Sequence, residues 1–303
     1  MTTRTFSFAT LKSFLGVAII FSCTACTSIA QSDKVWKNRL ADVVSQFSTD
    51  PKSPKLHSAR ELKRIWTGKP SQYFDDKQFI AICDAIATDN LDDVDRLMGS
   101  IGNINQEGKN GLTILIFAFL EGKILAFEKL LTRGASPDKA FPQELPLIPG
   151  IIGLDLRASN SSLLMFALSS DAVRPGFFDV AIKFTKKPNS LDRDGNTILH
   201  RISRHPYSES DLPRLKSVLA AGIDLNLKNS AGETAAQIAV QYNPKLLLAV
   251  LKAGADPRIP MPDGTSLIGL IHEKSTDPEN PLNEHYDRVA IWLNEHNFRQ
   301  PAR

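Results

Sequence analysis

Cysteine is scarce in this chain, and its placement limits what it can do. Three cysteines stand in 303 residues, two of them, Cys23 and Cys26, within the first thirty positions. A mature chain cut after Ala30 keeps Cys83 alone, which excludes an internal disulfide. Long apolar runs are missing too: FLGVAIIF (14–21) is too short to span a bilayer. Charge of one sign is not in excess. Lys and Arg total 36 against 33 Asp and Glu, a formal +3. Residues 1–30 carry Arg4 and Lys12 and no acid, so the rest has 34 basic against 33 acidic groups. That balance speaks against a nucleic-acid partner. Common enzyme signatures are absent as well: no G-x-S-x-G, no Walker loop, no H-E-x-x-H, and no Cys-x-x-Cys beyond the first thirty residues. TGKPSQ (67–72) begins like a phosphate loop, but Pro70 follows the lysine and the upstream glycine spacing fails.

What is present is ordinary globular composition, 42% apolar and 23% charged, preceded by a processing pattern. Arg4 and Lys12 come before the apolar run, and two exits from it compete. Ser22 before Cys23 resembles the lipobox of bacterial lipoproteins, in which the cysteine takes a lipid and becomes the mature N-terminus. Phe21 is bulkier than the usual residue there, and Cys26 is a second, weaker position. The other exit, SIA before Gln31, fits ordinary signal peptidase. Lipidation, soluble release into the periplasm and an uncleaved anchor are the three outcomes, and the first two both mean export. Thr24 after Cys23 resembles the pattern of outer-membrane lipoproteins. A local cluster, Lys52 to Lys69, reads as solvated surface or as a patch for a membrane or acidic partner.

Residues 31–76 read as a helical lead-in. DKVWKNRLADVVSQF (33–47) has helical apolar spacing, STDPKSPK breaks it, and SARELKRIW (58–66) opens with Ser58 and Glu61 in capping-box spacing. From Lys77 a phrase repeats: glycine, a hydroxyl residue, an apolar helix, a second helix and a small-residue turn. It runs through 79–106, 110–137, 160–189, 194–226, 231–257 and 263–297, and Gly195, Gly232 and Gly264 bracket a period of about 33 residues. Each hydroxyl can cap a first helix, and each closing glycine permits a left-handed exit. No unit can bury its apolar face alone, so stacking makes the core.

Gly111, Thr113, Leu115, Ala118, Gly122, Leu130, Leu131, Gly134 and Ala135 resemble the ankyrin repeat nearly in full. Gly195, Thr197, Leu199 and His200 give a further match, as do Gly232, Thr234, Ala239, Gly254, Ala255 and Asp256. The resemblance covers residues 77–297 and implies an all-α fold, a helix–turn–helix solenoid of about six units with an N-terminal helical segment; residues 298–303 form a tail. The chain departs from the consensus in places. The proline after the hydroxyl is replaced by Ile114, Leu163, Ile198, Ala235 and Leu267, and Thr185 and Lys186 stand where Gly and Ala are usual. Insertions fall at 140–159, 204–213 and 274–285. The first holds Pro149-Gly150 between apolar segments, a short hairpin by pattern.

The resemblance implies recognition of another protein on the face made by first helices and turn tips, not catalysis, and the sequence points to no cofactor and no metal. Cys83 lies in an apolar helical pattern and reads as a small buried hydrophobe. His200 reads as a helix-end hydrogen bonder. Phe141, Leu147, Ile148, Ile151 and Ile152 in the first insertion either cover the apolar edge of units 2 and 3 or contact a partner. Exported ankyrin-type chains resemble immunity proteins of type VI secretion, which neutralise a toxin such as a phospholipase by covering its cleft. A periplasmic scaffold for resident envelope enzymes is the alternative, and a host-directed effector is a third.

Overall fold

The computed structural model describes residues 65–142, 144–147, 161–171, 173–205 and 211–298. Cys23, Cys26, Ile148, Ile151 and Ile152, the amphipathic pattern at 33–47 and the Pro149-Gly150 turn lie outside those residues.

Thirteen α-helices run along the described chain. A single turn, α1 (Pro70–Tyr73), precedes six helix pairs. These are α2 (Lys77–Ala87) with α3 (Leu91–Met98), α4 (Ile114–Leu120) with α5 (Ile124–Thr132), and α6 (Leu163–Ser169) with α7 (Phe177–Ala181). The series continues with α8 (Ile198–Arg204) and α9 (Asp211–Ala220), α10 (Ala235–Tyr242) and α11 (Pro244–Lys252), and α12 (Leu267–Thr276) and α13 (Asn283–Glu295). Among the described residues there is no strand, only isolated bridges.

The repeated hydroxyl starts the first helix in five of the six units. Thr113, Ser162, Thr197, Thr234 and Ser266 accept from the backbone N–H groups of Ile116, Met165, His200, Gln237 and Gly269 at 3.2–3.5 Å. Such a cap satisfies a donor that the helix cannot. Asp76 does the same for α2, accepting from Gln78 at 2.7 Å. The residues that replace the consensus proline follow directly, and Ile114, Leu163, Ile198, Ala235 and Leu267 are all buried. Proline and an apolar residue both suit that first helical position, whose N–H has no partner within the helix; here it adds to the core.

On the turn side the units are joined hand to hand by Asn and Asp side chains. Asn105 accepts from the Ser136 N–H at 2.7 Å, Asp138 from Lys186 at 2.8 Å, Asn189 from Asp224 at 2.8 Å and Asn226 from Asp256 at 2.9 Å. Unit 3 departs as its sequence suggests. With Thr185 in place of glycine, α7 stops early, passes into a 3-10 turn over Ile182–Phe184 and ends with Thr185 extended at φ −66°. The Thr185 hydroxyl donates to Asp138 instead.

Units 1 and 2 are stitched by charge. Lys109 meets Asp75 at 2.8 Å and Lys139 meets Glu107 at 2.6 Å; Lys123 pairs with Asp89 and Lys129 with Asp95. Three of these pairs span 34 residues and the fourth 32, the repeat period itself.

Candidate functional site

Counting from each cap gives the register of the first helices and shows which side chains share a face. Four residues on stand Phe117, Phe166, Arg201, Ile238 and Leu270. Among the described residues, this face divides into a half that the chain covers itself and a half with exposed side chains.

Over units 2 and 3 the face is sealed. Trp66 lies edge-on to Phe117 with ring centroids 5.5 Å apart, and its Nε1–H donates to Glu121 at 2.7 Å. Ile65 donates its N–H to the Leu120 carbonyl at the end of α4, and the Thr67 N–H reaches Pro146 at 2.9 Å. Trp66 and Leu147 form an antiparallel bridge, so the lead-in and the insertion pair with each other. Trp66 is therefore extended, whereas the sequence pattern placed it at the end of a helix over 58–66. Burial of its indole on Phe117 accompanies that bridge, and Ser58 and Glu61 of the capping pattern lie outside the described residues. Further along, Phe141 stacks on Phe166 at 3.6 Å and meets Phe119 edge-on at 6.1 Å. Every residue of α4 is buried as a result.

Of the insertion residues expected to cover the stack or meet a partner, Phe141 is fully buried and takes the covering role. Leu147 is half-buried against the core. Beneath them Arg174, itself buried, donates from Nε and Nη2 to the Phe119 and Leu120 carbonyls, both at 2.9 Å. A cation there meets the negative end of α4. Burial brings its pKa down to about 10.

Over units 4 and 5, among the described residues, no lead-in or insertion side chain covers the exposed part of this face, although Ile238 at the matched register is itself buried. Arg201 is held by buried Asp192, Nε and Nη2 both at 2.6 Å. One turn on, Arg204 leans over the Tyr242 ring at 5.9 Å, and Tyr242 is 48% exposed. Leu191, ahead of the unit 4 turn, and Leu282, in unit 6, are exposed elsewhere on the stack. Tyr and Arg are enriched among binding hot spots. Sequence reasoning passed over both residues. The available signal was a change at matched register, from covered Phe117 and Phe166 to Arg201, with Arg204 and Tyr242 a turn beyond.

Beside this face His200 joins units 4 and 5. Its Nδ1 accepts the Thr197 N–H at 3.2 Å and its Nε2 donates to the Glu233 carbonyl at 3.0 Å, as the neutral tautomer requires. Burial pushes its pKa below the usual histidine value, against the pull of the Glu233 and Leu227 carbonyls and the Asp192 and Glu233 charges. Gln237 makes the same pair of bonds one unit later, to the Thr234 N–H and the Ile259 carbonyl, both at 2.9 Å. Both residues are structural.

Cys83 is buried, and burial followed by the Asp84 and Glu121 charges raises its thiol pKa well above normal. A thiol in that state is a poor nucleophile. Among the described residues no cluster of three or more His, Cys, Asp or Glu side chains could hold a metal, and no helix is long and apolar enough to cross a membrane.

No protein-family model matches the sequence, and no curated protein does either. Among solved structures, an ankyrin repeat domain from Acinetobacter baumannii AYE is similar at 18% identity, over 70% of this chain and 97% of that one, with a TM-score of 0.50. The fold is the ankyrin-type solenoid. An ankyrin repeat protein is similar at 16% identity over 71% of this chain and 96% of its own, with a TM-score of 0.46. A structure of a predatory endopeptidase from Bdellovibrio bacteriovorus in complex with an immunity protein is similar at 21% identity over 69% and 97%, with a TM-score of 0.45. Those two likenesses are too loose to bear on a partner or an activity. Within that fold, the first-helix face of units 2 and 3 is covered by the chain's own Trp66 and Phe141.

Proposed function

We propose that this chain is an exported, non-enzymatic binding protein that neutralises a secreted toxin, of the phospholipase kind, by laying units 4 to 6 over its catalytic cleft. The observation that carries the binding reading is the divided face, sealed by Trp66 and Phe141 over units 2 and 3 and open at Arg204 and Tyr242. What supports the toxin reading is the pairing of an export pattern in residues 1–30 with this repeat fold. The reading takes the periplasm as its compartment, with a lipid anchor to the outer membrane if Cys23 is the processed residue.

The test is to purify the tagged protein from envelope extracts in gentle detergent and identify what stays with it. A secreted lipase or other toxin recovered near one-to-one, and inhibited in proportion to added protein, is the expected result. Recovery of resident envelope enzymes without a toxin overturns neutralisation in favour of a scaffold. Retention of no protein at all overturns the binding reading.

A further inference from the structure

We propose that the open ankyrin face of units 4 and 5 receives an acidic side chain of the protein partner, its carboxylate on the Arg204 guanidinium and its apolar neighbour on the Tyr242 ring. This deepens the binding reading above and rests on it.

Several guanidinium groups of the stack are already satisfied within the chain. Arg201 is bonded at both ends of its fork to buried Asp192. Arg214 holds Asp171 at 2.6 Å and Asp179 at 3.3 Å. Arg258 grips Asp256 through Nε at 2.8 Å and Nη2 at 3.0 Å. Arg204 differs from all three. Its one carboxylate neighbour, Glu233, lies 3.6 Å from Nη2, longer than a hydrogen bond, and its side chain is 46% exposed. No hydrogen bond among the described residues takes its N–H donors. Glu233 is engaged elsewhere, accepting from Asn229 Nδ2 at 3.3 Å.

The Tyr242 ring holds Arg204 in place by cation–π contact, so the fork is oriented before anything binds. A planar fork with free donors matches a carboxylate in two-point geometry, which a lysine could not offer. On units 4 and 5 Arg193, Arg204 and Lys228 are exposed, against exposed Asp194 and half-buried Glu233, while Glu273, Lys274 and Asp277 line the cleft beside Gln241. Arg201 and Asp192 cancel. Tyr242 supplies the apolar half of the contact, since about half of it is accessible.

The full chain is titrated against fluorescein-labelled hexapeptides Gly-Ala-Asp-Phe-Ala-Gly and variants with Asn-Phe, Lys-Phe or Asp-Ala at the centre, by polarisation at low salt. The Asp-Phe peptide is expected to bind about tenfold tighter than the Asn-Phe or Lys-Phe peptide, as a charge-assisted pair implies. Arg204→Gln removes that preference while Arg193→Gln keeps it, and Tyr242→Ala brings Asp-Phe down to the level of Asp-Ala. Equal binding of the Asp and Asn peptides, preference for Lys, indifference to Arg204→Gln, or no binding to any peptide overturns the proposal. The envelope purification separates the two levels. A partner retained equally by wild type and Arg204→Gln leaves the binding function standing and refutes the carboxylate contact.

Discussion

At Gly254 the backbone lies at φ +111°, a conformation L residues rarely adopt, and a Cβ there would meet nothing within 4 Å. Substitution costs strain alone, so Gly254→Val is expected to lower stability by about 1 kcal/mol or more. Gly195 has φ +71° and also lacks room, for a Cβ would fall 2.6 Å from Ser230 Oγ and 2.7 Å from Ser230 N. Gly195→Ala should therefore shift a urea midpoint further than Gly254→Ala, and equal shifts would show that the Ser230 turn yields freely. His200 gives a second measurement. Its folded pKa is below its unfolded value, so the unfolded chain binds more protons between the two. The contribution is full above the unfolded histidine pKa of roughly 6.5 and is lost as pH falls toward the folded value. His200→Gln, copying Gln237, should keep stability near neutrality and flatten that acid-side loss. An unchanged pH profile would sink the assignment.

The first helices were legible because their signals are local: a hydroxyl, then an apolar run, with the cap and helix decided within four residues. The covering of units 2 and 3 was not. Trp66 sits 51 residues from Phe117 and 81 from Leu147, and nothing near it in sequence says that an indole will cross α4. The turn-side ladder lies between. Asp138, Asn189 and Asn226 each fall two or three residues after the amide that closes the previous rung, a recurrence visible once the units are aligned. Arg258 breaks it by turning back on Asp256. The lead-in should act as part of the core. Trp66→Ala is expected to cost about 3–5 kcal/mol, the usual range for a buried tryptophan. Trp66→Phe keeps most of the packing but removes the indole N–H bond to the Glu121 carboxylate, for about 1–3 kcal/mol. Guanidinium titration followed by circular dichroism ranks the two. A neutral Trp66→Ala would show that the strap does not hold the stack.

As a whole, the molecule is a row of units whose seams differ in kind. Aromatic rings fill the seam between units 2 and 3, where Phe119 meets both Phe166 and Phe177. The seam between units 1 and 2 adds charge pairs that stand partly in water, with Lys109 and Asp75 at 56% and 83% side-chain exposure. Such pairs contribute roughly 0.2–1 kcal/mol each and weaken when salt shortens the Debye length to about 3 Å. Hydrogen exchange should therefore speed up by roughly threefold to tenfold in α2 and α3 on moving to about 1 M salt, with α10 and α11 unchanged. Uniform change across the stack would mean that it opens as one body. The open face itself was the least legible part of the sequence, since it is defined by what the chain leaves uncovered.

The strap at Ile65–Thr67 also has a mechanical consequence. Among the described residues the chain is fastened first to the middle of the stack, through Leu120 and Pro146, and only then runs on to unit 1. A pull applied at Ile65 is carried by units 2 and 3, and the first ankyrin pair is spared the load.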